Sequence, residues 1–134
     1  MLMTMIIFNL SINRSYIYGN NIYSTEYIKK LETQFISNNY FGSSNDDYEY
    51  KPGTIPILIS APHTVKQLRK NEYKSADIYT GALAKVLHEA TGVHVIYKTS
   101  TNGDENYTTK ETEYRKKIKE IVAKNNYRFT WYEL

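Results

Sequence analysis

The feature that most constrains this chain is a short apolar run that stops at a proline and a histidine. Ile55, Ile57, Leu58 and Ile59 follow the turn signal Pro52-Gly53 and lead into Ser60-Ala61-Pro62-His63. Such a run suits a strand covered on both faces. Pro62 lacks the N–H that a ladder needs and pushes Ala61 towards extended geometry. His63 is therefore expected at or just past the carboxyl end of the strand. In open α/β sheets that edge is where ligands bind.

The residues around this strand alternate between helical and extended periods. Ser24 is placed to cap a helix over residues 25–36, with Tyr27, Ile28, Leu31 and Phe35 on one apolar face. Tyr48-Glu49-Tyr50 is a short alternating run, so residues 48–60 read as a hairpin turning at Pro52-Gly53. Pro56 is tolerable only near the start of its strand or on an unpaired side. The polar and basic residues 64–74 read as a loop over the strand's end. Ser75 is a plausible cap for a helix over 76–90, where Tyr79, Ala82, Leu83, Val86, Leu87 and Ala90 recur at helical spacing, and Gly92 ends it. Residues 93–98 are β-branched and aromatic and predict a strand. A loop over 99–107, a helix over 110–124 with Tyr114, Ile118, Ile121 and Val122 inward, and an alternating strand over 127–132 follow.

Strand, helix, strand, helix, strand implies right-handed crossovers and a mainly parallel sheet. The predicted class is α/β, with helices on both faces in three layers, over residues 48–134. Residues 1–47 form an irregular and helical lead-in, with no clear period over 9–21. At 134 residues the length prior is one domain with room for a core.

Composition narrows the chemistry. A net charge of +3 is too small to argue for nucleic acid, and the Arg115-Lys116-Lys117 run with Lys119 lies opposite its helix's apolar face, as a solvated surface does. With no cysteine, disulfides and thiolate metal sites are excluded, so any metal rests on His, Asp or Glu. The apolar run Met5-Ile6-Ile7-Phe8 has no preceding basic residue or small-residue cleavage site, and nothing approaches the roughly 20 apolar residues of a membrane span. The expectation is a cytoplasmic chain without a membrane partner, export being the lesser reading. Glycine-rich phosphate loops, Gly-x-Ser-x-Gly and His-Glu-x-x-His are all missing.

His63 is thus the residue whose position favours chemistry, as metal ligand or general base, against the plainer reading of a polar strand end. His88 and His94 read as structural or solvent-facing. Asp77 reads as a favourable charge at a helix start, and Asp104 and Glu105 as turn residues.

Ile57-Leu58-Ile59-Ser60-Ala61-Pro62-His63-Thr64, Gln67-Leu68-Arg69, Tyr79-Thr80-Gly81-Ala82-Leu83-Ala84, Thr91 to Thr99 and Gly103-Asp104-Glu105-Asn106-Tyr107, in that order, resemble the N-formylglutamate amidohydrolase-like family. The resemblance spans about residues 53–126. It implies a phosphorylase/hydrolase-like α/β fold related to the zinc carboxypeptidases, and zinc-dependent cleavage of an amide in a small N-acylated amino acid. By the same resemblance His63 is the first candidate zinc ligand and Asp77 the second. Asp104 occupies the acidic turn, as a candidate catalytic residue, and Arg69 is a candidate partner of a substrate carboxylate. Zinc in such a site activates water and polarises the scissile carbonyl.

The family continues with a strand ending in Asp-x-His-Gly, whereas here residues 127–134 read Tyr-Arg-Phe-Thr-Trp-Tyr-Glu-Leu. Catalytic zinc sites have three protein ligands plus water, and Glu133 is the nearest ionisable substitute for the third. The expectation is an incomplete, truncated or frameshifted member that holds zinc weakly if at all and self-associates through an exposed sheet edge. The alternative is a non-catalytic binding or regulatory module that keeps the sheet without the metal.

Overall fold

The computed structural model describes residues 23–42, 46–124 and 130–134. The apolar run at 5–8, the lead-in expected over 9–21 and the first residues of the strand expected over 127–132 lie outside them. Among the described residues the fold is mixed α/β, with three helices and a small mixed sheet.

Ser24 caps α1 (Thr25–Ile36), its side chain accepting from Tyr27 N at 3.2 Å. The strands are β1 (Tyr48–Lys51), β2 (Ile55–Ala61), β3 (Gln67–Arg69), β4 (Glu72–Lys74), β5 (Val93–Lys98) and β6 (Thr130–Glu133), and the remaining helices are α2 (Thr80–Thr91) and α3 (Glu113–Lys124). The main sheet has the order β1-β5-β2-β6. β2 lies between β5 and β6, an order the sequence left open, and is parallel to both, as the alternation of strands and helices predicts. Pairing shifts register between Ile55 and Leu58, so Pro56 falls where the ladder is interrupted.

Two faces follow from period 2. Ile59 and Ala61 of β2 and Val93, Val95 and Tyr97 of β5 join Phe35 of α1 and Ala84 of α2 in one cluster. Leu58 and Ile96 point the other way and join Tyr114, Ile118 and Ile121 of α3. Each fully buried Leu, Ile or Phe contributes about 1.5–3 kcal/mol over leaving it exposed. Among the described residues neither helix set has another apolar cluster to pack on, so the sheet is what both are built on.

Three expectations are corrected. First, β1 does not pair with β2 across Pro52-Gly53. It lies antiparallel on the far side of β5, with Tyr48 opposite Lys98 and Lys51 opposite Val95. The connection passes under the start of β5, where Thr54 N donates to Gly92 O at 2.8 Å. A Cβ on Gly53 would lie 2.3 Å from that same oxygen, so only glycine permits the crossing.

Second, residues 64–74 are not a plain loop. They contain the β3–β4 hairpin, joined through Lys70 and Asn71, with Leu68 opposite Tyr73.

Third, α2 starts at Thr80, not near 76. Asp77 N is engaged by His63 O at 2.8 Å, and Tyr79 is left-handed (φ 67°) with its N–H on Glu32 Oε1 at 2.9 Å. Those tertiary bonds hold the residues after Ser75 off the helical path. Gly92 ends the helix in the left-handed conformation, as expected. Likewise α3 starts at Glu113 because Thr112 Oγ1 accepts from Arg115 N at 3.1 Å and caps it. Among the described residues no helix is long and apolar enough to cross a membrane.

Candidate functional site

His63 stands two residues beyond β2, at the carboxyl edge of the parallel strands. The segment carrying it is buried and pinned. Gln67, itself buried, donates through Nε2 to Pro62 O at 2.8 Å and Val65 O at 3.2 Å, and Thr64 Oγ1 donates to Lys98 O. His63 is only 4% exposed. Its Nε2 lies 2.9 Å from Asn106 Nδ2, while its Nδ1 is buried without a partner. Burial and the charge of Lys74 hold the imidazole below its ordinary value, against the opposing pull of Asp104, Asp77 and Glu133. His63 is therefore neutral near pH 7.

The loop after β5 supplies the next groups. Asp104 is buried, and its Oδ1 accepts from Asn106 N at 3.0 Å, the side-chain-to-backbone turn typical of Asp. Its Oδ2 accepts from Arg69 Nε. Burial alone would raise the Asp104 carboxyl, but the Arg69 and Asn106 donors outweigh it and the group sits below the usual range. The Arg69 guanidinium in turn lies over the Tyr107 ring, 5.3 Å from its centroid.

Glu133, at the end of β6, accepts from Asn106 Nδ2 at 2.9 Å. Asn106 thus joins three elements of the carboxyl edge. Asp77 is exposed and reaches the cluster through its backbone bond to His63 and its charge.

The loop is held by a buried ion cluster. Lys98 Nζ, fully enclosed, meets Asp47 at 2.7 Å and Glu105 at 2.6 Å, and Arg115 approaches Glu105 at 3.8 Å. Glu105 is therefore structural.

Cavities lie near this region among the described residues. One, of about 780 Å³, lies among Asp46, Asp47, Glu111 and Glu113 and does not include His63. One of about 480 Å³ lies between the β3–β4 hairpin and Tyr107, lined by Arg69, Lys70, Tyr73 and Lys74. One of about 90 Å³ adjoins Asn106 and Glu133 over Ser60 and Tyr114.

Of the residues singled out from sequence, His63, Asp104 and Arg69 are linked through Asn106, and Asp77 adjoins them. His94 is stacked on Tyr50, whose hydroxyl lies 2.7 Å from its Nδ1, and His88 Nδ1 lies 2.8 Å from Val93 O. Sequence reasoning gave Asn106 and Gln67 no role of their own. The signal for Asn106 was the Asp-x-Asn spacing of a side-chain turn. For Gln67 it was an amide amid buried carbonyls, which only the tertiary structure reveals.

Among the described residues no group of three or more His, Asp or Glu side chains is arranged to hold a metal ion. His63 Nδ1 is buried without a partner, and the charges of Asp77 and Glu133 bear on the same ring. Fold and site together define a mixed α/β protein with a histidine–carboxamide–carboxylate cluster at its parallel carboxyl edge. Comparison with protein-family models, curated proteins and solved structures finds no match to this chain.

Proposed function

We propose that this chain carries part of an N-formylglutamate amidohydrolase-like site, on a three-layer α/β/α fold of the zinc-carboxypeptidase kind, and engages a small N-acylated amino acid. The observation that carries the reading is His63: buried, neutral and with an unpartnered Nδ1 at the carboxyl edge. His63 and Asp77 would hold zinc, one ligand short of the usual three. When bound, zinc supplies Lewis acidity and a water of lowered pKa. Arg69, oriented by Asp104 and lining the hairpin cavity, would meet the substrate carboxylate.

Zinc titration by calorimetry, paired with an amidase assay on N-formylglutamate, tests this. Weak binding without turnover is expected. His63→Ala should weaken that binding by more than about tenfold, since losing even an outer-shell partner costs roughly 10–100-fold. Tight stoichiometric binding with turnover that disappears in His63→Ala would instead show a complete enzyme.

The second reading, a non-catalytic binding module, is favoured by the Asn106 contact that already occupies His63 Nε2. Zinc binding that is absent, or identical in the wild type and His63→Ala, would select it.

A further inference from the structure

Asn106 stands between two acceptors. Its Nδ2 is 2.9 Å from Glu133 Oε1 and 2.9 Å from His63 Nε2. An ionised carboxylate has no hydrogen to give, so the carboxamide atom facing Glu133 is the NH₂ group, and both of its hydrogens are engaged. The second one meets His63 Nε2, which therefore accepts through its lone pair. A neutral imidazole carries one proton, which must then sit on Nδ1. Turning the carboxamide over would set its oxygen against the Glu133 carboxylate. Free histidine prefers the opposite tautomer, so the surroundings impose this one.

We propose that Asn106 and Glu133 are positioning residues that hold His63 as its Nδ1–H tautomer. The burial of His63 and the lack of a partner at Nδ1 leave the Asn106 contact at Nε2 to set that tautomer.

A metal can take Nδ1 only after the proton moves to Nε2 and the carboxamide turns its oxygen towards it. Glu133 opposes that turn. Because Glu133 pairs with Ser60 in the β2–β6 register, the docking of β6 sets this constraint. The inference rests on the site proposed above but not on zinc.

The test is the side-chain nitrogen spectrum of the ¹⁵N-histidine-labelled full chain with a chelator present, at about pH 8.5, two units above the ordinary histidine value. His63→Gln assigns the resonances. In the wild type, Nδ1 should carry the proton and Nε2 should be bare. Glu133→Ala and Asn106→Ala should each invert the tautomer to Nε2–H, while Glu133→Gln, which keeps an acceptor oxygen, should retain Nδ1–H.

A wild-type chain with the proton on Nε2 overturns the proposal by itself, so the test does not depend on either variant folding. A folded Glu133→Ala or Asn106→Ala chain that keeps Nδ1–H overturns it too. No metal is present, so the outcome is independent of the zinc titration.

Discussion

Lys98 is fully enclosed between two carboxylates, Asp47 on the approach to β1 and Glu105 on the loop after β5. Removing one partner of a buried ion pair leaves an uncompensated charge, which costs roughly 3–5 kcal/mol. Glu105 keeps Arg115 at 3.8 Å and the Thr112 hydroxyl, so the lower end applies. Lys98→Met is expected to destabilise the chain by about 3 kcal/mol in urea unfolding, and adding Asp47→Asn with Glu105→Gln should recover part of that. A Lys98→Met chain as stable as the wild type would show that the cluster is solvated. At the same scale, the sequence shows Lys98 only as the last residue of a strand. Its burial depends on acids 51 and 7 positions away, which no local pattern links to it.

At the scale of elements, α1 and α2 meet through a glycine. A Cβ on Gly81 would lie 2.3 Å from Phe35 Cζ, and that ring is 4% exposed and set edge-on to Tyr97 at 6.0 Å. Gly81→Ala gains up to about 1 kcal/mol of helix propensity, but overpacking a filled core costs roughly 1–3 kcal/mol. Overpacking wins, so Gly81→Ala should lower the melting temperature, and Phe35→Leu should lower it less in the Gly81→Ala background than in the wild type. Equal losses in both backgrounds would mean that helix and ring do not couple. The boundaries of α1 were legible because Ser24 is a local cap. The start of α2 was not, because Glu32 and His63 capture the backbone of Tyr79 and Asp77 from a distance.

For the whole molecule, the buried histidines set the response to acid. His63 is lowered by burial and Lys74, and His94 by burial and the nearby His88. Between their folded values and about 6.5 the unfolded chain binds protons that the folded chain refuses, so stability falls as pH falls through that window. Each histidine contributes at most about 1.4 kcal/mol per pH unit there. Asp104 is also lowered, so its contribution is present above about 3.9 and disappears as pH falls through its folded value. Unfolding free energies should therefore decline in two stages, the first below about pH 6.5. His63→Gln should reduce the first stage and, because the charge of His63 also helps to lower Asp104, weaken the second only slightly. A first stage unchanged in that variant would exclude His63 as a source.

The sequence by itself determined that β2, β5 and β6 run parallel, the helices between them and the placing of His63 at the carboxyl edge. Those follow from period, capping and the Pro62 stop, all short-range effects that act wherever the segment sits. The β5-β2-β6 order came from the tertiary structure. Only the tertiary structure decided that β1 crosses to the far side of β5, that residues 67–74 form a hairpin, and that Asn106 joins His63 to Glu133. These depend on partners 43 and 27 positions from Asn106, and on backbone at Gly92 that leaves room at Gly53 for nothing larger than hydrogen. Contacts between distant segments are settled by packing and by the need to satisfy buried polar groups, and those forces act only once the chain has folded.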